Sequence, residues 1–156
     1  MSYIPTPASV VNPSWSGRNA VIARHIPKKT SVIDMGCGGK DLLNYIEPSK
    51  YLGIDYTDSH ADLIMDFNQP FEIDGGWDYL VCSGVLEYLV DVDMFLSTIQ
   101  GKSKFYLITI WGRFHTLNNP NALTYDQYMS LIDSKFKIIV RNKWKHHVIL
   151  KCEDLC

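Results

Sequence analysis

Short apolar runs, each closed by a turn-forming cluster, set the rhythm of this chain. Ser31-Val-Ile-Asp-Met35 is followed by Gly36-Cys-Gly-Gly39, the signature of a buried strand entering a tight turn. Tyr51-Leu-Gly-Ile-Asp55, Ala61-Asp-Leu-Ile-Met-Asp66, Trp77-Asp-Tyr-Leu-Val-Cys82 and Lys104-Phe-Tyr-Leu-Ile-Thr-Ile110 repeat the pattern. They predict strands two to five. Residues 136–140 and 147–152 predict a terminal strand pair.

Helical spacing lies between these runs. Residues 14–25 read as a helix ended at Pro27, and Leu42, Leu43 and Ile46 share one face of a helix stopped by Pro48. Residues 85–100 place Leu86, Leu89, Val90, Phe95, Leu96 and Ile99 on a further helical face. Thr124 followed by Gln127 reads as a capping box opening a helix to about Ser134. Strand–helix alternation with short connections predicts an α/β fold: an open, mostly parallel, doubly wound sheet with helices on both faces and a C-terminal antiparallel hairpin. The 56–60 connection is too short for a crossover helix, so a bare loop is expected there. Residues 1–156 are expected to form a single domain, with 1–30 as N-terminal helix and lid and 31–156 as sheet core.

Composition narrows the class. At 156 residues, 46% hydrophobic and 21% charged, the chain is neither disordered nor low-complexity. No apolar run approaches the roughly 18 residues of a membrane helix, and the first ten residues lack signal-peptide features. A cytoplasmic protein with no membrane partner is expected. The four cysteines form no Cys-x-x-Cys pair, so free thiols and no metal are expected. Charge is segregated. Residues 34–93 hold thirteen of the seventeen acids against two lysines, whereas residues 94–156 hold nine Lys/Arg against four acids. An acid-rich middle suits a cationic ligand or a solvated face.

In an open α/β sheet, ligands bind beyond the carboxyl ends of the strands. Those ends carry Asp34 with Gly36, Cys37 and Gly38; Asp55; Asp66 with Phe67; and Ser83 with Gly84. A dinucleotide fingerprint would need glycine at 41, where Asp41 stands and would repel a pyrophosphate. No Walker lysine motif surrounds Lys40. The loop suits a nucleoside without phosphates.

Val32-Ile-Asp-Met-Gly-Cys-Gly-Gly39, Leu52-Gly-Ile-Asp55, Asp66-Phe67 and Trp77-Asp-Tyr-Leu-Val-Cys-Ser-Gly-Val-Leu-Glu-Tyr88 together resemble the class I S-adenosylmethionine-dependent methyltransferases, small-molecule branch. The resemblance covers about residues 31–112. It implies S-adenosylmethionine as cofactor, with S-adenosylhomocysteine as product, and transfer of a methyl group to a small-molecule acceptor by direct displacement. It also implies roles. Asp34, Gly36, Cys37 and Gly38 would shape the methionine pocket, Asp55 would bind the ribose hydroxyls, and Asp66 and Phe67 would meet the adenine. Ser83, Gly84 and Val85 would line the sulfonium region. Trp15-Ser-Gly-Arg18 resembles the family's aromatic-plus-arginine entry helix, which makes Arg18 the partner of the cofactor carboxylate.

Tyr88 stands where relatives often carry histidine. Tyr88 and His115, in the loop after strand five, are the candidate catalytic residues. The residues alone leave rivals open: Asp66 also fits a turn former before Asn68 and Pro70, and Phe67 a core residue. His146 and His147 have no assigned role. The basic stretch of Lys135, Lys137, Arg141, Lys143, Lys145 and Lys151, with Trp144 inside it, raises a nucleic-acid methyltransferase as an alternative. An edge strand protected by lysines fits the same residues. A non-catalytic binder of the cofactor is the third reading.

Overall fold

Alternate residues of the central strands feed two separate cores. The computed structural model describes residues 13–57, 60–112 and 122–155. In it β1 (Ser31–Met35) sends Val32 to one face and Ile33 and Met35 to the other. In β4 (Trp77–Cys82), Tyr79 and Val81 join Val32, whereas Leu80 and Cys82 join Ile33. The first face is covered by α1 (Pro13–Ala23), through Ile22, and by Ile26 and Leu42. The second is covered by α2 (Val92–Ile99), through Phe95, Leu96 and Ile99, and by α3 (Tyr125–Asp133), through Tyr128 and Ile132. Burial on both faces is why the strands read as continuous apolar runs.

The remaining strands are β2 (Lys50–Asp55), β3 (Leu63–Ile64), β5 (Ser103–Trp111), β6 (Phe136–Trp144) and β7 (His147–Asp154). The sheet order is β3-β2-β1-β4-β5-β7-β6. Strands β1 to β5 pair in parallel, and β7 runs antiparallel between β5 and β6. The expected fold class is therefore present, terminal hairpin included. Strand order reverses between β1 and β4.

Three expected elements differ. The helix over 41–46 is a single 3-10 turn, Asp41–Asn44, entered from Lys40 in a left-handed conformation (φ 60°). Between that residue and Pro48 there is too little chain to nucleate an α-helix. The continuous helical face over 85–100 is broken in two. Asn68 reaches across to accept from Val90 N–H at 2.7 Å and to donate to the Tyr88 carbonyl. Asp91 then caps α2, accepting from Met94 N–H. The third strand shrinks to two residues because the Asp62 carboxylate, at 2.8 Å, takes the Gly53 N–H. By contrast, the Thr124–Gln127 capping box forms in both directions.

Candidate functional site

A cleft of about 340 Å³ opens at the carboxyl ends of β2, β1, β4 and β5, where the strand order reverses. Its volume is that of a small-ligand pocket. A second cavity, lined by residues such as Ser31, Lys50, Trp77 and Lys102, opens at the opposite ends of the strands. No unpartnered buried polar atom among the described residues lines that one.

The first wall is the turn after β1. Gly36 has φ 80° and donates its N–H to the Ile54 carbonyl at 2.7 Å, which binds the turn to β2. A Cβ at Gly36 would lie 2.3 Å from Val85 Cγ2, so glycine is required by both torsion and space. Asp34, buried beneath this turn, accepts the Tyr51 hydroxyl proton at 2.7 Å. Burial raises its carboxyl to about 6, against the lowering effect of Tyr51. Cys37 packs its thiol toward Gly53, and burial pushes it up to about 12. It is an inert wall rather than a nucleophile.

Asp55 closes β2. Its Oδ2 accepts Gly38 N–H at 2.7 Å and its Oδ1 accepts Tyr56 N–H at 2.7 Å. Oδ1 also accepts Thr57 N–H at 3.4 Å; a carboxylate has about four lone-pair sites, so capacity remains on Oδ2 of a side chain that lines the cleft. Asp66 and Phe67 also line it. Asp66 Oδ1 accepts Asn68 N–H at 2.9 Å, the turn-forming arrangement. Phe67 packs its ring 5.3 Å from both Phe71 and Phe95. Both residues thus have a structural job at the rim of the cleft.

The far wall carries buried charge. Arg18, on α1, is 6% exposed and reaches the turn after β4, where a Cβ on Gly84 would lie 3.0 Å from its Nη1. Gly84 itself has φ 69° and donates N–H to the Thr109 hydroxyl at 2.9 Å. Burial lowers Arg18 from its ordinary value while Glu87, Tyr88 and Asp34 raise it. Glu87 is 6% exposed, and burial raises its carboxyl against hydrogen bonds from its own and the Trp111 backbone N–H groups and the attraction of Arg18. His147, at the start of β7, packs edge-on against Trp111 with ring centroids 4.7 Å apart. Four buried polar atoms here have no hydrogen-bond partner: Arg18 Nε, Ser83 Oγ, Glu87 Oε2 and His147 Nδ1. All four residues line this one cleft. Unpaired buried polar groups are rare in native proteins, and such a concentration fits a polar ligand that supplies the missing partners.

The structure gathers Arg18, Asp34, Gly36, Cys37, Gly38, Asp55, Asp66, Phe67, Ser83, Gly84, Val85 and Tyr88 around this cleft. Residues 113–121, with His115, lie outside the described residues, as do residues 1–12 of the expected lid. The sequence assigns no role to Glu87, Trp111 or His147, yet they line the same space. Pairing of Trp111 with His147 across β5 and β7 brings the last two together. That register could not be read from residues 147–152 as a strand with no known neighbour.

An open sheet in this order, with an antiparallel β7 and a cleft at the β1/β4 reversal, is the Rossmann-like fold of the class I methyltransferases. A methyltransferase described as dependent on S-adenosylmethionine, from Aquifex aeolicus, superposes with a TM-score of 0.70 at 13% identity, over 92% of this chain and 94% of that one. The N-methyltransferase NodS of Bradyrhizobium japonicum, solved with S-adenosyl-L-homocysteine, gives 0.70 at 14% identity over 92% and 88%. A methyltransferase of Haloferax volcanii, solved with its Trm112 activator, gives 0.69 at 13% identity over 92% and 91%. The sequence matches no family model, and no curated protein matches it. At these identities the likeness establishes the fold.

Proposed function

We propose that the chain is an S-adenosylmethionine-dependent methyltransferase acting on a small-molecule acceptor. The observation that carries this reading is the pairing, in one cleft, of the Asp55 carboxylate at the end of β2 with the buried, unpartnered Arg18 Nε near the turn after β4. β1 lies between those two strands. At about 4.8 Å per strand the two stations stand roughly 10 Å apart, which suits an extended nucleoside–amino-acid ligand. Asp55 would hold the ribose hydroxyls, and Asp66 and Phe67 would border the adenine. Asp34, Gly36, Cys37 and Gly38 would shape the methionine part, and Ser83, Gly84 and Val85 the sulfonium region. Arg18 would pair with the carboxylate, a charge-assisted contact in a desolvated place.

The bound cofactor supplies a methyl group activated on a sulfonium. The chain's own part is orientation and exclusion of water. Its N-terminal segment, of which Trp15, Arg18 and Asn19 line the cleft, is the part of 1–30 suited to a lid. Several basic residues of the C-terminal stretch are engaged within the fold. Lys135 pairs with Asp93 and Lys137 with Glu153. Lys145 lies over the Trp144 ring and Lys151 over Phe105. This favours a small acceptor over a nucleic acid. Among the described residues, no helix is long and apolar enough to cross a membrane.

Isothermal titration with S-adenosylmethionine, S-adenosylhomocysteine and NAD tests the cofactor. Saturable binding of the first two, with NAD weaker, is expected; NAD binding more tightly overturns the reading. Transfer of labelled methyl to small-molecule pools, compared with RNA, then tests the acceptor.

A further inference from the structure

The cofactor reading leaves two of the four unpartnered atoms unused, Glu87 Oε2 and His147 Nδ1. Their residues are 6% and 8% exposed, and both line the cleft. Their place in the sheet separates them from Asp55, and both lie within electrostatic reach of Arg18. His147, in β7, is paired with Trp111, the last residue of β5, two strands beyond β4 in the sheet, so it lies at the opposite end of the cleft from Asp55. Glu87 follows β4 in a 3-10 turn, Leu86–Tyr88, so its carboxylate comes from the side of the sheet that faces β5. A ligand running from Asp55 to Arg18 ends where these two begin.

From this geometry we infer that Glu87 and His147 form the acceptor subsite, and that it takes a small amine whose N–H groups meet Glu87 Oε2 and His147 Nδ1. This rests on the methyltransferase reading and deepens it. The charge of the lining selects the class. Among the described residues the cleft presents Asp34, Asp41, Asp55, Asp66 and Glu87 against a single cation, Arg18. Arg18 is already claimed by the cofactor carboxylate, so a carboxylate or phosphate acceptor would find no second cation among the described residues and would face Glu87. An ammonium or amine finds a carboxylate whose Oε2 still lacks a hydrogen-bond donor. An unpaired buried carboxylate oxygen is costly, and an N–H donor removes that cost. Burial raises the Glu87 carboxyl, which brings its proton affinity nearer to that of an amine. Burial also lowers His147 to about 4, so its ring is neutral near pH 7 and Nδ1 can accept a hydrogen bond if the ring proton is on Nε2. Trp111, packed edge-on against His147, gives the subsite an aromatic wall suited to the carbon part of an arylalkylamine or to a cation over its face.

The test is a calorimetric titration of the full chain saturated with S-adenosylhomocysteine. The probes are benzylamine, phenethylamine and tryptamine, set against the matched carboxylates benzoate, phenylacetate and indoleacetate. The expected result is saturable binding of at least one amine, at least tenfold tighter than its carboxylate. Glu87→Gln should weaken amine binding at least tenfold and change S-adenosylhomocysteine affinity by less than threefold. His147→Phe should weaken the amine likewise, with melting temperatures recorded for both variants. Carboxylates binding as well as amines, or no amine binding to the saturated wild type, overturns the inference without use of any variant. Either substitution weakening S-adenosylhomocysteine as much as the amine assigns the atoms to the cofactor and also overturns it. A wild type that binds no S-adenosylhomocysteine overturns the methyltransferase reading itself, and the subsite with it.

Discussion

Gly38 donates its backbone N–H to Asp55 Oδ2 at 2.7 Å, so the carboxylate that ends β2 also holds the glycine turn that follows β1. Two strands neighbouring in the sheet are joined at the point where a ribose would lie. Asp55→Ala should therefore weaken S-adenosylhomocysteine binding twice over, by removing acceptors for the ligand and by releasing the turn. Loss of charge-assisted hydrogen bonds costs about 1.5–3 kcal/mol, roughly ten- to a hundredfold in affinity. Calorimetry measures it, and Asp74→Ala, at the opposite ends of the strands, serves as the comparison. An equal, small effect of both would remove Asp55 from the site.

Gly36 and Val85 form a second close relationship. Alanine at 36 must adopt φ 80° and meets Val85 Cγ2 at 2.3 Å. The left-handed conformation costs about 1–2 kcal/mol, and overpacking adds about 1–3 kcal/mol. Gly36→Ala should lower stability by about 2–5 kcal/mol in denaturant unfolding. Val85→Ala in the same chain should recover the packing part only. Full recovery would show that the torsion is not strained.

Asp34 is expected to make stability fall with rising pH. Its native carboxyl lies at about 6 against 3.8 for the ordinary group. The native state thus holds the proton longer than the unfolded chain. This contribution is fully present below pH 3.8 and is lost as pH rises through about 6. Asp34→Asn keeps an acceptor for Tyr51 and removes the ionisation. The variant should gain about 1–3 kcal/mol relative to wild type between pH 4 and 7. A difference independent of pH would contradict the buried ionisation.

His147 acts with the opposite sign. Burial holds its imidazole at about 4 rather than 6.5, with Arg18 and His146 adding to the effect. The unfolded chain binds a proton below 6.5 that the native ring refuses until about 4, so stability is lost as pH falls through that window. His147→Gln should remove about 2 kcal/mol of that acid dependence. Unfolding curves of the two proteins at pH 7.5, 5.5 and 4.5 measure it, and parallel curves would show His147 to be exposed.

Local pattern was enough for the strands and for the glycine turn. Apolar runs bounded by Gly36, Asp55 and Ser83 located β1, β2 and β4 to within a residue, because a strand buried on both faces must be apolar throughout. The same ends carry most of the cleft, because topology sends chemistry to the carboxyl edge of a parallel sheet. The capping box before α3 was legible for a similar reason: both of its hydrogen bonds lie within four residues.

What escaped were the elements whose form depends on a distant partner. Residues 85–90 have helical spacing, but Asn68 takes Val90 N–H and meets the Tyr88 carbonyl, and the helix begins only at Val92. The stretch 61–66 has strand character, but the Asp62 side chain bonds Gly53 and shortens the pairing. His147 looked like one of two histidines in a basic terminal segment. Only the insertion of β7 beside β5 sets it against Trp111, at the mouth of the cleft. Local torsion and burial are written residue by residue, so strands, turns and an acid-lined edge are legible in the chain. Which buried polar atoms stand together without partners depends on register between strands far apart in sequence, and only the folded sheet brings them into one cleft.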